Sequence, residues 1–385
     1  MLAIRAGTIK TMEEKGTIKD GVILIEDGRI EAVGRDLEIP EEAEVHDYPD
    51  ATVIPGMIDA HTHVGIGEEG IGWEGRDYNE ITDPITPHLR AIDAINPDDQ
   101  GLEDARQSGI TTVMVSPGSA NVIGGESLAM KTQGEIVDDM VIKNPVGVKA
   151  AFGENPKRVY GEKDKSPSTR MAVAAEMRSA LQKARDYLAR KQKNGEDEPF
   201  EHDLKWESLS RVIENELPLK THAHRADDIM TAVRIAREFG FELTIEHCTE
   251  GHLIAEKLAE EGIPAVVGPS LTSRSKVEVR KRDFKTAAVL ARAGVKVAIM
   301  SDHPVIPVDQ LNIYAALSAR AGLERDEAIK AITINPAEIL DIDDRVGSLK
   351  KNKDADLALF SGDPLSLTAE LKAVYVEGEK IEQEG

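Results

Sequence analysis

Cysteine is nearly absent, with Cys248 the only one in 385 residues. That excludes an intrachain disulfide and any zinc site built on several thiolates, so a metal here must rely on histidine and carboxylate ligands. Positive charge is also scarce: 47 Lys and Arg stand against 70 Asp and Glu, a formal net charge of −23. Such a chain repels nucleic acid and anionic membrane at long range, and neither is expected as a partner. The acidic excess reads as a solvated, solubilising surface, not as substrate choice. No apolar run approaches the ~18 residues of a membrane span, and the opening Met1-Leu-Ala-Ile-Arg-Ala-Gly7 lacks the pattern of a secretory leader. A soluble cytoplasmic protein is the expectation. Internal repeats and low-complexity tracts are missing as well.

What is present is a change of rhythm along the chain. The first fifty residues carry short apolar runs at 3–9, 21–28 and 29–33, with a hairpin signal at Asp27-Gly28. The last forty repeat that texture at 355–360 and 371–376, around the turn residues Gly362-Asp363-Pro364. Between them, buried apolar strands alternate with amphipathic helices, the pattern of a parallel sheet covered by helices. Candidate strands are 52–60, 111–116, 127–131, 146–152, 217–221, 242–246, 265–268 and 295–300. Eight of them suit an α/β fold of the (β/α)8 TIM-barrel type. A helix is predicted over 169–191, with Pro167 and Ser168 at its start and Met177, Leu181, Ala184 and Leu188 at core spacing. The polar stretch 191–201, with Gly195 and Pro199, reads as a solvated loop.

The most specific motif is Val53-Ile-Pro-Gly-Met-Ile-Asp-Ala-His-Thr-His63. A short apolar strand runs into His-x-His, and strand side chains alternate faces, so His61 and His63 point the same way and form a chelating pair. Ligand-type residues end three later strands: His222 after 217–221, His247 after 242–246, and Asp302 after 295–300. Singly, His247 reads equally as a hydrogen-bonded core histidine and Asp302 as a turn residue before Pro304. Jointly they point to a metal site at the C-terminal ends of barrel strands, where the active sites of such barrels sit.

These residues resemble the amidohydrolase superfamily, in particular its imidazolonepropionase-like and prolidase-like branch. The likeness spans nearly the whole chain. It rests on Pro55 to His63, Gly109-Ile-Thr-Thr-Val113, His222-Ala-His224, Glu246-His247 and Ser301-Asp302. It continues in the tail through Thr333-Ile-Asn-Pro-Ala337, Val346-Gly-Ser-Leu-Lys350, Asp354-Ala-Asp-Leu357 and Val374-Tyr-Val-Glu-Gly378.

The resemblance implies a composite β-sandwich formed by residues 1–52 and 344–385, flanking a catalytic barrel of residues 53–343. It also implies one or two divalent metal ions, zinc first and Mn, Fe or Ni as alternatives, held by His61, His63, His222, His247 and Asp302. A bound divalent ion lowers the pKa of water from 15.7 towards about 7, and Asp302 takes its proton and passes it to a leaving amine. The residue bridging two metals is either Glu154, preferred for lying nearer the barrel mouth, or a carboxylated Lys149, which matches the prolidase-like pattern better. If neither binds, the site holds one ion.

The expected activity is therefore hydrolysis of an amide or cyclic-amide C–N bond in a small molecule or dipeptide. An amidine deaminase is the alternative, but deaminating members carry His-x-x-Glu after the fifth strand, and here His222 is followed by Ala-His-Arg225. A scaffold without catalysis is a third reading, separable by metal content. Asn121 to Glu126 is expected as a glycine-bearing loop at the mouth, and Arg158, Tyr160 and Arg170 as candidates to hold a substrate carboxylate. His224 and His252 are expected beside the ligands and not among them, and Cys248 as a small buried residue. The partner is a small-molecule substrate; homo-oligomerisation is left open.

Overall fold

The computed structural model describes residues 1–194 and 200–382, so the part of the expected solvated loop at 195–199 lies outside the described residues. The chain opens with β1 (Leu2–Lys10), β2 (Thr17–Glu26), β3 (Arg29–Gly34) and β4 (Glu44–Pro55). Asp27 and Gly28 both take positive φ, 48° and 76°, in a two-residue turn that pairs Glu26 with Arg29. That geometry matches the twist of antiparallel strands, and the Asp-Gly dipeptide supplies it with little steric cost. The barrel strands follow: β5 (Met57–Thr62), β6 (Ile110–Val115), β7 (Ile123–Lys131), β8 (Val141–Ala151), β9 (Leu219–Ala223), β10 (Leu243–His247), β11 (Ala265–Val267) and β12 (Val297–Ile299). The tail adds β13 (Leu357–Phe360), β14 (Leu371–Val376) and β15 (Glu379–Lys380).

Two sheets result. One has seven strands in the order β15-β14-β13-β4-β1-β2-β3, so both chain ends build it, joined where β13 pairs antiparallel with β4. Ile4, Ile23, Val53, Leu357 and Tyr375, from five of its strands, share one buried cluster. The other runs β5 to β12 in sequence order, with helices between successive strands from β8 onward. Its ends meet beyond the paired registers: the Asp302 N–H donates to the His61 carbonyl at 3.1 Å, and the His63 N–H to the His303 carbonyl at 2.8 Å. This is the expected barrel, nearly closed.

The predicted strand 52–60 divides in two. Gly56 breaks it, and the chain passes there from the terminal sheet to the barrel; a side chain at Gly56 would meet Thr111 Oγ1 at 2.2 Å. Lys131 on β7 ties the two sheets together. Its buried ammonium lies 2.6 Å from Asp356 and 3.0 Å from Asp354, on the approach to β13.

One strand departs from the all-parallel expectation. β7 runs antiparallel to both β6 and β8. The linkers on its two sides, 116–122 and 132–140, are shorter than the dozen or more residues a parallel crossover requires, so the chain reverses instead. The expected mouth loop over 121–126 is consequently strand from Ile123 onward. The predicted helix over 169–191 is Arg170–Lys193, capped by Thr169, whose hydroxyl accepts the Ala172 N–H. Among the described residues no helix is long and apolar enough to cross a membrane.

Candidate metal centre at the barrel mouth

The strand ends β5, β9, β10 and β12 converge on one group of side chains. His61 lies near the end of β5 and is fully buried, and His63 follows two residues on, just past the strand. His222 occupies β9 and His224 the position just beyond it, on the same face by alternation. His247 closes β10, and Asp302 follows β12. One donor atom each from His61, His247 and Asp302 lies within 4.8 Å of the others, and the same holds for His222, His224 and His247. Asp302 Oδ1 stands 3.5 Å from His61 Nε2 and 3.4 Å from His63 Nε2. His247, Cys248 and Asp302 hold left-handed backbone, with φ of 71°, 49° and 60°. Non-glycine residues persist there when surrounding structure over-determines them, which is common at functional sites.

All of these imidazoles except His222 are aimed by a hydrogen bond at Nδ1. His63 Nδ1 donates to the Ser116 carbonyl at 2.6 Å and His247 Nδ1 to the Gly268 carbonyl at 2.9 Å, leaving both Nε2 atoms as lone-pair donors. His61 Nδ1 donates to Glu246 Oε2 at 2.9 Å, since an ionised carboxylate only accepts. Glu246 is itself held by the Thr244 hydroxyl at 2.6 Å. Burial alone would raise the Glu246 pKa, but the His61 hydrogen bond and the nearby Lys220 and Lys149 outweigh it and hold the carboxyl below its usual range. Burial drives His61 down to about 4, helped by Lys149, and drives His222, His224 and His247 well below the ordinary histidine value. Four buried, neutral imidazoles beside a carboxylate are a donor set suited to a divalent transition ion. Two of their buried nitrogens, His222 Nδ1 and His224 Nε2, have no hydrogen-bond partner among the described residues. A polar atom left so is costly unless something not yet counted satisfies it, and an ion would.

The two candidates on β8 and after it separate clearly. Lys149 lies in the barrel interior, buried, with Nζ 3.0 Å from His61 Nε2. Burial pushes its pKa down to about 8 against the pull of Glu246 and Asp302. Gly124 on β7 leaves room for it: a Cβ there would sit 3.3 Å from the Lys149 side chain. Glu154, preferred from sequence, is placed elsewhere. Gly153 turns the chain with φ 88°, and Glu154 then opens the helix Glu154–Gly161 with its N–H on Glu278 Oε2 at 2.9 Å. Its side chain is not in either histidine group.

A cavity of ≈ 490 Å³ opens over the cluster, lined among others by His63, Tyr78, Arg158, His222, His224 and Asp302. A larger hollow of ≈ 800 Å³ lies at the opposite, N-terminal ends of the strands, by Pro218, Glu242, Pro264 and Lys296. Its cations Lys143, Arg237 and Lys296 are paired with Asp341, Glu261 and Glu338, and it holds no histidine. The smaller cavity is therefore the candidate site.

Of the three residues considered for a substrate carboxylate, Arg158 is exposed at the cavity. Arg170 is taken up by Asp228 at 2.9 Å, and the buried Tyr160 donates to Asn121 Oδ1 at 2.6 Å. His252 is half-buried against Thr286, away from the cluster. Burial pushes the Cys248 thiol up to about 12, which removes it as a nucleophile at neutral pH.

Two residues of the site have no role in the sequence reading. Glu246 is one. Asp59 is the other: its carboxylate accepts the N–H of His61 at 3.1 Å and of Ser301 at 3.0 Å, fastening β5 to the segment that carries Asp302. Both stand beside the motif histidines, and buried acids next to ligand histidines were the available signal.

A barrel with a histidine and aspartate cluster at the C-terminal ends of its strands is the architecture of a hydrolase with a candidate metal centre. The chain belongs to the amidohydrolase family, whose model matches residues 52–381, and is an enzyme of the class that acts on carbon–nitrogen bonds. It is similar to a crystal structure of an amidohydrolase from Thermotoga maritima MSB8, at 43% identity over 100% of both chains with a TM-score of 0.96. It is 29% identical to the amidohydrolase tasK of Hapsidospora irregularis, over 93% of this chain but only 39% of that protein. It is also 24% identical to the imidazolonepropionase of Sphingopyxis alaskensis, over 92% of this chain and 90% of the relative.

Proposed function

We propose that this protein is a metal-dependent amidohydrolase that cleaves an amide or cyclic-amide C–N bond in a small molecule or dipeptide. The observation that carries the reading is the pair of overlapping donor groups, His61–His247–Asp302 and His222–His224–His247, each within 4.8 Å, beneath a cavity of small-molecule size. Likeness to imidazolonepropionases over most of their length brings the cyclic amide into the substrate class. Residues 53–343 act as the catalytic unit, flanked by 1–52 and 344–385.

His61, His63 and Asp302 would hold one divalent ion, zinc first, and His222 and His247 a second. Such an ion supplies a Lewis acid that makes water a usable nucleophile near neutral pH and polarises the scissile carbonyl. Lys149, which lies beside His61, would serve as the anionic ligand shared by the two ions in preference to Glu154. Burial lowers the lysine pKa to about 8 and so raises the share of neutral amine, the form that would add CO2 to give an anionic N-carbamate with release of one proton to solvent. Asp302, its backbone held by the His61 carbonyl, accepts the proton of the attacking water. It then delivers that proton to the leaving nitrogen. Glu246 keeps the His61 Nε2 lone pair turned inward.

The test is a panel of N-acyl amino acids, dipeptides and cyclic ureides, assayed before and after chelation and again with Asp302→Asn. Turnover that chelation abolishes, and that Asp302→Asn lowers by about 10²–10⁴ without loss of folded structure, is expected. Hydrolysis that survives both treatments would overturn the reading.

A further inference from the structure

We propose that His224 is itself a metal ligand, completing with His222 and His247 a position held by three imidazoles. The inference rests on the metal-dependent reading above and adds to it a residue that the sequence placed only beside the site.

β9 ends as β5 does. His61 and His63 flank one residue at the end of β5, and His222 and His224 flank one residue at the end of β9. Alternation puts each pair on one face. The three rings are packed together, with His224 centroids 4.7 Å from His222 and 4.6 Å from His247, and His222 4.1 Å from His247. Close contact of three imidazoles without a hydrogen bond among them is an unusual use of a barrel interior, because each ring carries a polar nitrogen that must be satisfied.

The hydrogen bonds of His224 leave one nitrogen over. Nδ1 is engaged by the Thr249 hydroxyl at 2.7 Å, while Nε2 is buried, borders the cavity and has no hydrogen-bond partner among the described residues. The nearest acid is Glu278, whose Oε1 stands 3.7 Å away, beyond hydrogen-bond reach. That oxygen is already 2.7 Å from the Lys276 ammonium, and its partner oxygen accepts the Glu154 N–H. Glu278 therefore has its cation, although its Oε1, like His224 Nε2, makes no hydrogen bond among the described residues. The arrangement of a tethered Nδ1 and a free, inward Nε2 repeats that of His63 and His247, which the site uses as donors.

Three neutral imidazoles would add no charge to that position, whose one anionic donor would be the Lys149 carbamate, in contrast to the carboxylate-bearing position of Asp302. Borderline ions such as zinc and cobalt suit it better than the oxygen-seeking magnesium or manganese.

The experiment uses the full chain, stripped by chelation and titrated with Zn(II) against a chromophoric chelator, and in parallel with Co(II) read by its visible absorption. His224→Ala is compared with the parent and with His252→Ala, whose ring bonds Thr286 instead. Replacing a residue that merely orients a ligand costs about 10–100-fold in affinity, so a direct ligand should exceed a hundredfold. Expected is a loss beyond a hundredfold for one ion in His224→Ala and an altered Co(II) spectrum. Free imidazole filling the vacated space should restore both, with His252→Ala unchanged. Circular dichroism of the metal-free variant shows that it folds; if His224→Ala does not, His224→Asn takes its place. A loss below a hundredfold with the parental Co(II) spectrum overturns the role of His224 and leaves the metal-dependent reading standing. A parent that takes up neither ion overturns both.

Discussion

Replacing Glu246 by glutamine changes one oxygen for an NH2 group in a buried site and nothing else in size. The carboxylate now does three things: it accepts from His61 Nδ1 at 2.9 Å, accepts from the Thr244 hydroxyl at 2.6 Å, and provides negative charge near Lys149 and Lys220. The amide keeps one acceptor. If its NH2 faces His61, the imidazole must accept at Nδ1 and carry its proton on Nε2, which removes the inward lone pair. If its NH2 faces Thr244, the tautomer survives, but the histidine loses the anion that raises its basicity. Either way one metal-facing donor is weakened by a change in its supporting partner, which typically costs about 10–100-fold in affinity. At about 1.4 kcal/mol per factor of ten, that is roughly 1.4–2.7 kcal/mol. Competition titration of Zn(II) measures it directly, with circular dichroism to establish folding. An affinity within twofold of the parent in a folded Glu246→Gln protein would mean that Glu246 does not govern the His61 lone pair.

Two further outcomes follow from burial. Lys131→Met leaves Asp356 without its buried cation while Asp354 keeps Arg345, so urea unfolding should lose about 3–5 kcal/mol, and an unchanged midpoint would show that the pair does not tie the sheets. Chelator-treated protein should lose stability as pH falls below ~6.5: His61, His222, His224 and His247 stay neutral when folded but bind protons when unfolded, and acid therefore favours the unfolded chain. Asp59, raised to about 7 by burial, works the other way, but it is one group against four. Urea midpoints at pH 7.5 and 5.5 decide the sign, and equal or greater stability at pH 5.5 would contradict it.

Much of this was readable from local pattern. Apolar runs ending in ligand-type residues mark β5, β9, β10 and β12, because strand alternation and barrel topology convert a one-dimensional spacing into a shared face. The strand texture of both termini shows β-structure at each end, and that the two ends share a sheet is what the family resemblance implies. What the sequence hid depends on partners far apart in the chain. The Glu246–His61 hydrogen bond joins residues 185 positions apart. Glu154 lies nearer the end of its strand than Lys149, but Gly153 redirects the chain, and only the structure shows that Glu154 opens a helix and is in neither histidine group. The reversal of β7 was a matter of linker length that an apolar run does not reveal. That His224 has a bonded Nδ1 and an unbonded Nε2 is likewise visible only once Thr249 is placed against it.

Metal binding by the strand-end histidines and Asp302 is what the proposed chemistry requires first. Elemental analysis of protein purified without added metal or chelator, quantified per chain for the parent and for a His61→Ala/His63→Ala double variant, tests it most directly. One to two ions per chain are expected in the parent, with a clear loss in the folded double variant. Metal content that is the same in both, or absent from the parent even after reconstitution, would contradict it.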